Sequence, residues 1–360
     1  MMSSNWGLVG VLMHRCPDIP MPRLTSLPLA LLIVATATSL YSQTETSPPL
    51  SPVFKVKVNL VVVDAQVLKK KTHQPVPALK SDDFMLFEGG IRQQITSLSQ
   101  DELPLSVVFL FDLTDSVRPV LKSLANGALQ SLQHLKPEDE AAVMVYSAST
   151  KLLQDFTTDR ELIVKAIRRA GKMESAEAAF FNEGIFQAAT EAGKPNSQRR
   201  RVIIWLTDNV PNIPSEDVRY QYGRSIAAEN LHSEKEALTR LFKTGAVVFT
   251  LLQRSEISDI EFMRAFNHPI ELLYRKQYPP GDVYNYTRQT GGEVVDSYSS
   301  RKISARMADL IDQIRTRYAL GYHPSMDGQE RFREIRLEIA PEVQQREGKV
   351  IVETRRGYYR

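Results

Sequence analysis

The chain has a single cysteine in 360 residues, Cys16. It lies upstream of an apolar run that reads as a targeting signal, so it leaves with that signal. The remaining chain then has neither disulfides nor thiolate metal sites. A net charge of +3, with Lys and Arg mixed among Asp and Glu, lacks the basic stripe of a nucleic-acid binder. The two short basic runs, 69–71 and 199–201, read as a solvated turn and the start of a strand. Long apolar runs are missing too. The longest, 27–40, is too short and too rich in Thr and Ser for a membrane span. There is no Gly-x-Ser-x-Gly elbow and no Gly-rich phosphate loop, since Gly291-Gly292 merely leads into a strand. Of the histidines beyond the signal, His73, His134 and His232 fall in a turn or on helices without an assignable partner. His268 and His323 fall in irregular stretches, and all five read as surface or packing residues.

What is present begins with a secretory pattern. Arg23, the apolar run and the small residues through Ser42 describe a signal peptide over 1–42, with Met21 as an alternative start. Residues 43–52, rich in Ser, Thr and Pro, read as a linker. The protein is therefore expected to be exported, either periplasmic or secreted.

From 53 to 103 the pattern is β. Phe54, Val56, Val58 and Leu60 alternate with Lys55, Lys57 and Asn59 and lead into 61–63. A hairpin is expected from 84–87 and 91–95 around Gly89-Gly90, with one helical turn at 81–83. After Pro104 the rhythm alters. The run 106–112 suits a strand buried on both faces of a parallel sheet. Helical periodicity follows over 117–135. Further strands are expected at 141–146, 151–156, 202–207, 246–252 and 293–295, with helices at 161–170, 182–192, 227–243 and 304–317. Strands alternating with helices imply an α/β domain with a doubly wound, mostly parallel sheet over 104–317. From 318 to 360 strands return at 318–322, 332–339 and 349–354. Neither β segment has enough strands for a two-sided core, so the two are expected to pair into a small β-sandwich around the inserted α/β domain.

Chemistry gathers where the first α/β strand ends. Asp112, Thr114 and Ser116 stand at i, i+2 and i+4 of the following loop, and Asp208 closes a second apolar strand. In open α/β sheets ligands bind outside the carboxyl ends of the strands. Oxygen donors without His or Cys suit a hard cation, Mg²⁺ or Ca²⁺. Asp115 is expected to face solvent.

These residues resemble the metal-ion-dependent adhesion site of the von Willebrand factor A domains. More closely, the chain resembles the secreted von Willebrand factor A-related proteins first noted in acidobacteria. The ordered segments FKVKVNLVVVDAQV, LKSDDFMLFEGGIRQQIT, LPLSVVFLFD, LTDN, TGGEVV, RYALGYHP and RRGYYR carry that likeness. The resemblance implies a doubly wound fold and metal ligation by Asp112, Thr114, Ser116 and Asp208, with Thr114 replacing the usual first Ser. It implies Mg²⁺, with Ca²⁺ or Mn²⁺ as alternatives, and a protein partner that offers a carboxylate to the metal. Asn209 stands where Gly is usual, and Ala179 where the family has a ligating Thr. Water, Ser175, Glu177 or Asn182 could fill that place, or the metal has been lost.

No enzymatic activity is expected. A phosphotransfer nucleophile at Asp112 would want a second Asp two residues on, where Thr114 stands. The readings left are a metal-assisted protein-binding module and a metal-free structural or assembly domain of the cell envelope. The C-terminal tyrosines Tyr318, Tyr322, Tyr358 and Tyr359 read as core or sheet-surface residues, as does Trp205. The 269–286 tract reads as an elaborated loop.

Overall fold

The computed structural model describes residues 60–100, 103–147, 149–174, 180–194, 199–210, 232–256, 260, 282–324 and 331–359. The expected signal, linker and cleavage position lie outside them, as do Ser175, Glu177, Ala179 and His268.

A six-stranded sheet forms the centre, with strand order β10-β9-β8-β5-β6-β7. Its strands are β5 (Leu105–Asp112), β6 (Glu140–Tyr146), β7 (Thr150–Thr157), β8 (Arg200–Thr207), β9 (Val247–Gln253) and β10 (Val294–Ser297). All neighbours are parallel except β6 and β7, which pair antiparallel. Every residue of β5 is buried, because helices cover both faces of the sheet. Val107, Phe109 and Phe111 pack with α1 (Arg118–Ser131), α2 (Arg160–Ala170) and α6 (Ser300–Arg315). Val108 and Leu110 point the other way, towards α3 (Phe181–Ala192), α4 (Glu234–Thr244) and α5 (Val283–Thr290). The period-two alternation of a strand thus feeds two separate cores.

Two four-stranded antiparallel sheets flank this domain, in the orders β13-β1-β11-β4 and β14-β12-β2-β3. The early strands are β1 (Val61–Lys69), β2 (Phe84–Glu88), β3 (Ile91–Gln93) and β4 (Ile95–Gln100). The late ones are β11 (Tyr318–Tyr322), β12 (Phe332–Ile339), β13 (Val350–Thr354) and β14 (Gly357–Tyr359). β1 pairs with β11 and β13, and β2 pairs with β12. The two ends of the chain are therefore interleaved. Val63, Ala65, Val67, Leu86, Leu320, Ile335 and Leu337 share one core between the sheets. Within that core Glu88 accepts from Tyr322 Oη at 2.5 Å and Tyr358 Oη at 3.0 Å, and pairs with Arg333 at 2.6 Å. Tyr318, Tyr322 and Tyr358 are buried, and Tyr359 is half-buried.

Three expectations need correction. Residues 91–95 are not one strand: β3 ends at Gln93 with Ile91 exposed, and β4 crosses to the other sheet, where Ile95 and Leu98 pack into the core. The C-terminal segment also contains a helix, α7 (Pro341–Glu347). Proline at its N-terminus pre-sets the backbone, but only Val343 is buried, so no helical periodicity marks it. Finally, the 269–286 tract does not stay loop to its end, because Val283 opens α5, capped by the Asp282 side chain; the 199–201 run is a strand entry as expected, with Arg200 buried.

Arg200 pins the sandwich to the α/β domain. Its Nε meets Asp64 Oδ1 of β1 at 2.8 Å, while Nη1 and Nη2 donate to the carbonyls of Ile314 at 2.8 Å and Arg317 at 3.1 Å. A buried ion pair broken on one side leaves an uncompensated charge and unpaired carbonyls. Arg200→Met is expected to lower unfolding free energy by about 3–5 kcal/mol, measured by urea denaturation. A change under about 1 kcal/mol would show that this junction is not held by the pair.

Candidate functional site

β5 and β8 lie side by side with Phe111 opposite Leu206, so Asp112 and Asp208 emerge together at the carboxyl end of the sheet. After Asp112 the chain turns. Leu113 N–H donates to the Tyr146 carbonyl at 2.9 Å, and Val117 N–H to the Thr114 carbonyl at 3.2 Å. Pro119 then starts α1. This tight loop turns the Thr114 and Ser116 hydroxyls inward, 3.2 Å apart, and leaves Asp115 exposed. Beyond Asp208 the backbone of Asn209 is left-handed, with φ of 61°. Asparagine tolerates that conformation better than other non-glycine residues, which accounts for Asn at a place where the resemblance expects Gly.

The structure brings Asp112, Thr114, Ser116 and Asp208 into one place, and all four are buried. Sequence reasoning missed three neighbours that govern them. Tyr146, at the end of β6, donates to Asp112 Oδ2 at 2.8 Å and accepts from Trp205 Nε1 at 3.0 Å. Thr207 donates to the same Oδ2 at 2.8 Å and accepts from the Asn209 N–H at 3.0 Å. Thr114 N–H donates to Asp112 Oδ1 at 2.9 Å. The indole and the backbone N–H donate to these two hydroxyls, which in turn donate to Asp112. Their one sequence signal is a polar residue ending an otherwise apolar strand.

Three donors aimed at one carboxylate describe a site wired for an anion. Burial nevertheless prevails and raises the Asp112 carboxyl above its ordinary value, against bonds from the Thr114 side chain and N–H, Thr207 and Tyr146. Asp208 is pushed up to about 8, first by burial and then by the charge of Asp112, against bonds from the Val210 N–H and the Ser116 side chain. Asp208 Oδ1 accepts from Val210 N–H at 3.1 Å, but its buried Oδ2 has no partner at good hydrogen-bond geometry. No ion pair to Asp112 or Asp208 occurs among the described residues. No group of three or more His, Cys, Asp or Glu side chains that could hold a metal ion occurs among them either, so any metal here must also use hydroxyls. Two carboxylates, two hydroxyls and an orphaned carboxylate oxygen fit a hard cation. Such an ion would supply the missing positive charge. Asn182 is not positioned as a spare ligand through its carbonyl, because Oδ1 accepts from Tyr286 Oη at 2.8 Å.

Two histidines whose partners the sequence could not assign have carboxylate partners. His134 Nδ1 lies 2.8 Å from Asp312, and His232 Nδ1 lies 2.6 Å from Glu183 while stacking on Phe186 at 3.4 Å between centroids. Their partners are distant in sequence, at α6 and α3, so local pattern could not reveal them.

The raised Asp208 carboxyl makes the metal-free protein sensitive to pH. Folded-state proton affinity exceeds the unfolded value, so this contribution to stability is complete below about pH 4 and is lost as pH rises through about 8. In EDTA, stability should fall across that window by up to about 1.4 kcal/mol per pH unit from this group. Asp208→Asn should remove that component. Urea denaturation between pH 4.5 and 8.5 (about the span of the titration) measures it, and identical slopes for wild type and variant would refute the assignment.

Residues 107–210 match the family model described as von Willebrand factor type A domain. No curated protein sequence matches the chain. Among solved structures, a von Willebrand factor type A protein from Catenulispora acidiphila is 10% identical, covering 73% of this chain and 72% of its own, with a TM-score of 0.40. The von Willebrand domain of the type V pili tip protein Mfa5 from Porphyromonas gingivalis is 12% identical, covering 59% and 95%, with a TM-score of 0.39. The conserved hypothetical protein BatB from Bacteroides thetaiotaomicron is 13% identical, covering 58% and 98%, with a TM-score of 0.39. At these scores the likenesses say nothing about what this chain binds. The sequence match falls on β5, the 112–116 loop and β8, the elements that build the site: this chain carries a von Willebrand factor type A domain.

Proposed function

We propose that the protein is an exported binding protein whose type A domain captures a protein partner through a divalent cation held by Asp112, Thr114, Ser116 and Asp208. The observation that carries this reading is the pair of buried carboxylates without a countercharge among the described residues, one wired as an anion and the other with a buried oxygen lacking a partner. A cation relieves both. It also supplies an electrostatic socket for a carboxylate from the partner, and no bond of that partner need be broken. Mg²⁺ is the favoured ion, with Mn²⁺ and Ca²⁺ as alternatives. Export rests on the 1–42 sequence pattern, and the periplasm and the exterior are both compatible with it. No helix among the described residues is long and apolar enough to cross a membrane.

A phosphotransfer role for Asp112 is disfavoured by the same bonds. A nucleophilic carboxylate needs an accessible oxygen, whereas Asp112 is fully buried and Oδ2 already accepts from two hydroxyls. The competing non-enzymatic reading is a metal-free structural domain. It draws support from Asp208, which can carry a proton at neutral pH and so lower the charge of the pair.

Thermal and urea unfolding with Mg²⁺, Mn²⁺ or EDTA separates these readings. An ion at 100 times its dissociation constant should stabilise the wild type by about 2.7 kcal/mol, and Asp208→Asn should abolish the gain. Asp112→Ala serves as a second control. Stability indifferent to all ions would leave the metal-free domain as the function.

A further inference from the structure

On one side the central sheet ends at β10, and that edge is open. The carbonyls of Glu293 and Ser297 accept from the Thr250 and Arg254 N–H groups of the β9 side, at 3.0 and 3.1 Å. In a parallel ladder alternate residues turn both backbone groups to the same neighbour. Glu293, Val295 and Ser297 therefore bond towards β9, and the N–H and C=O of Val294 and Asp296 point away from it. Among the described residues β9 is the one strand beside β10, and nothing bonds these outward groups.

Val294 lines a cleft of about 1120 Å³ between the α/β domain and the β-sandwich. That is larger than the roughly 300–1,000 Å³ of small-molecule sites. None of Asp112, Thr114, Ser116 and Asp208 lines it. We propose that this cleft takes an extended peptide segment of a partner protein, added as a strand to β10, in which basic and acidic residues alternate. The inference does not rest on the cation.

Strand addition draws affinity from the main chain and specificity from the walls that meet alternate side chains. Here the walls differ in sign. α5 and α6 cover opposite faces of the central sheet, so successive residues of an added strand face one wall and then the other. On the α6 side Glu293, Asp309, Asp312 and Glu353 outnumber Arg306. Arg306 is shared between Glu293 and Asp309 at 3.1 and 3.8 Å, which leaves this wall with an acidic excess. On the α5 side Arg288, Arg336 and Arg356 stand against Glu334. Arg356 is fixed beside α5 by its N–H, which donates to the Gln289 carbonyl at 2.9 Å. Arg336 is already engaged by Glu338 and the Phe87 ring. Arg288 and Arg356 are exposed and make no ion pair among the described residues. They are the cations left for a ligand. Lys or Arg of the added strand suits positions facing α6, and Asp or Glu suits those facing α5.

The test uses the full chain and a fluorescein-labelled peptide, TVKEKEVT, whose Lys and Glu side chains fall on opposite faces of a strand. The control TVKKEEVT has the same composition with both signs on each face. Fluorescence anisotropy should show saturable binding of the first peptide below about 1 mM and ~10-fold weaker binding of the control. Arg288→Glu/Arg356→Glu, which alters exposed side chains, should weaken the first peptide by ~10-fold. Val294→Pro removes an outward N–H at an edge position, where proline is tolerated, and should weaken it similarly. On binding, hydrogen exchange of the Val294 and Asp296 amides should slow. EDTA should leave the affinity unchanged, which separates this cleft from the proposed metal site. No saturation at that concentration, equal affinity for the two peptides, binding without protection of these amides, or loss of binding in EDTA overturns the inference. A wild type that sediments as a dimer with both amides already protected overturns it as well, and gives the edge to a second copy of the chain.

Discussion

A buried carboxylate with three hydrogen-bond donors and, among the described residues, no positive charge beside it sets the terms for the rest of the domain. Desolvating an anion is expensive, and hydrogen bonds alone recover only part of the cost. Asp112 keeps its place because Tyr146, Thr207 and the Thr114 N–H are themselves held, by Trp205, by the Asn209 backbone and by the tight loop before α1. That chain of constraint joins three adjacent strands, β6, β5 and β8. A second buried carboxylate at Asp208 makes the arrangement harder still to tolerate without either a proton or a cation.

The rest of the fold holds that edge of the sheet rigid. β5 is buried on both sides by two independent cores. The antiparallel sheets lie on a different part of the domain, drawing strands from both ends of the chain and fastened through Arg200, Asp64 and the carbonyls of Ile314 and Arg317. The sandwich pairs early strands with late ones, β1 with β11 and β13, across the α/β domain between them. Its pairings span more than 200 residues, a non-local topology of the sort that folds slowly.

Much of this was legible in the sequence because apolar periodicity is a local signal. The run 106–112 declared itself a doubly buried strand, and the spacing of Asp112, Thr114 and Ser116 placed three oxygens on one loop. The strand-end position of Asp208 was readable for the same reason. What could not be read were contacts set by tertiary geometry. Tyr146 and Thr207 look like ordinary strand residues until β6, β5 and β8 are adjacent, and Trp205 looks like core alone. The carboxylate partners of His134 and His232 lie on elements far apart in the chain. The α7 helix, with one buried residue, has no periodicity to detect. Ala179, at the place where the resemblance expects a ligating Thr, lies outside the described residues.

The central claim is that a divalent cation supplies the charge that Asp112 and Asp208 lack. Anomalous diffraction from crystals grown with Mn²⁺ tests it most directly. The account predicts one peak within coordination distance of Asp208 Oδ2 and the Thr114 and Ser116 hydroxyls. The absence of a peak there at millimolar Mn²⁺ would contradict it.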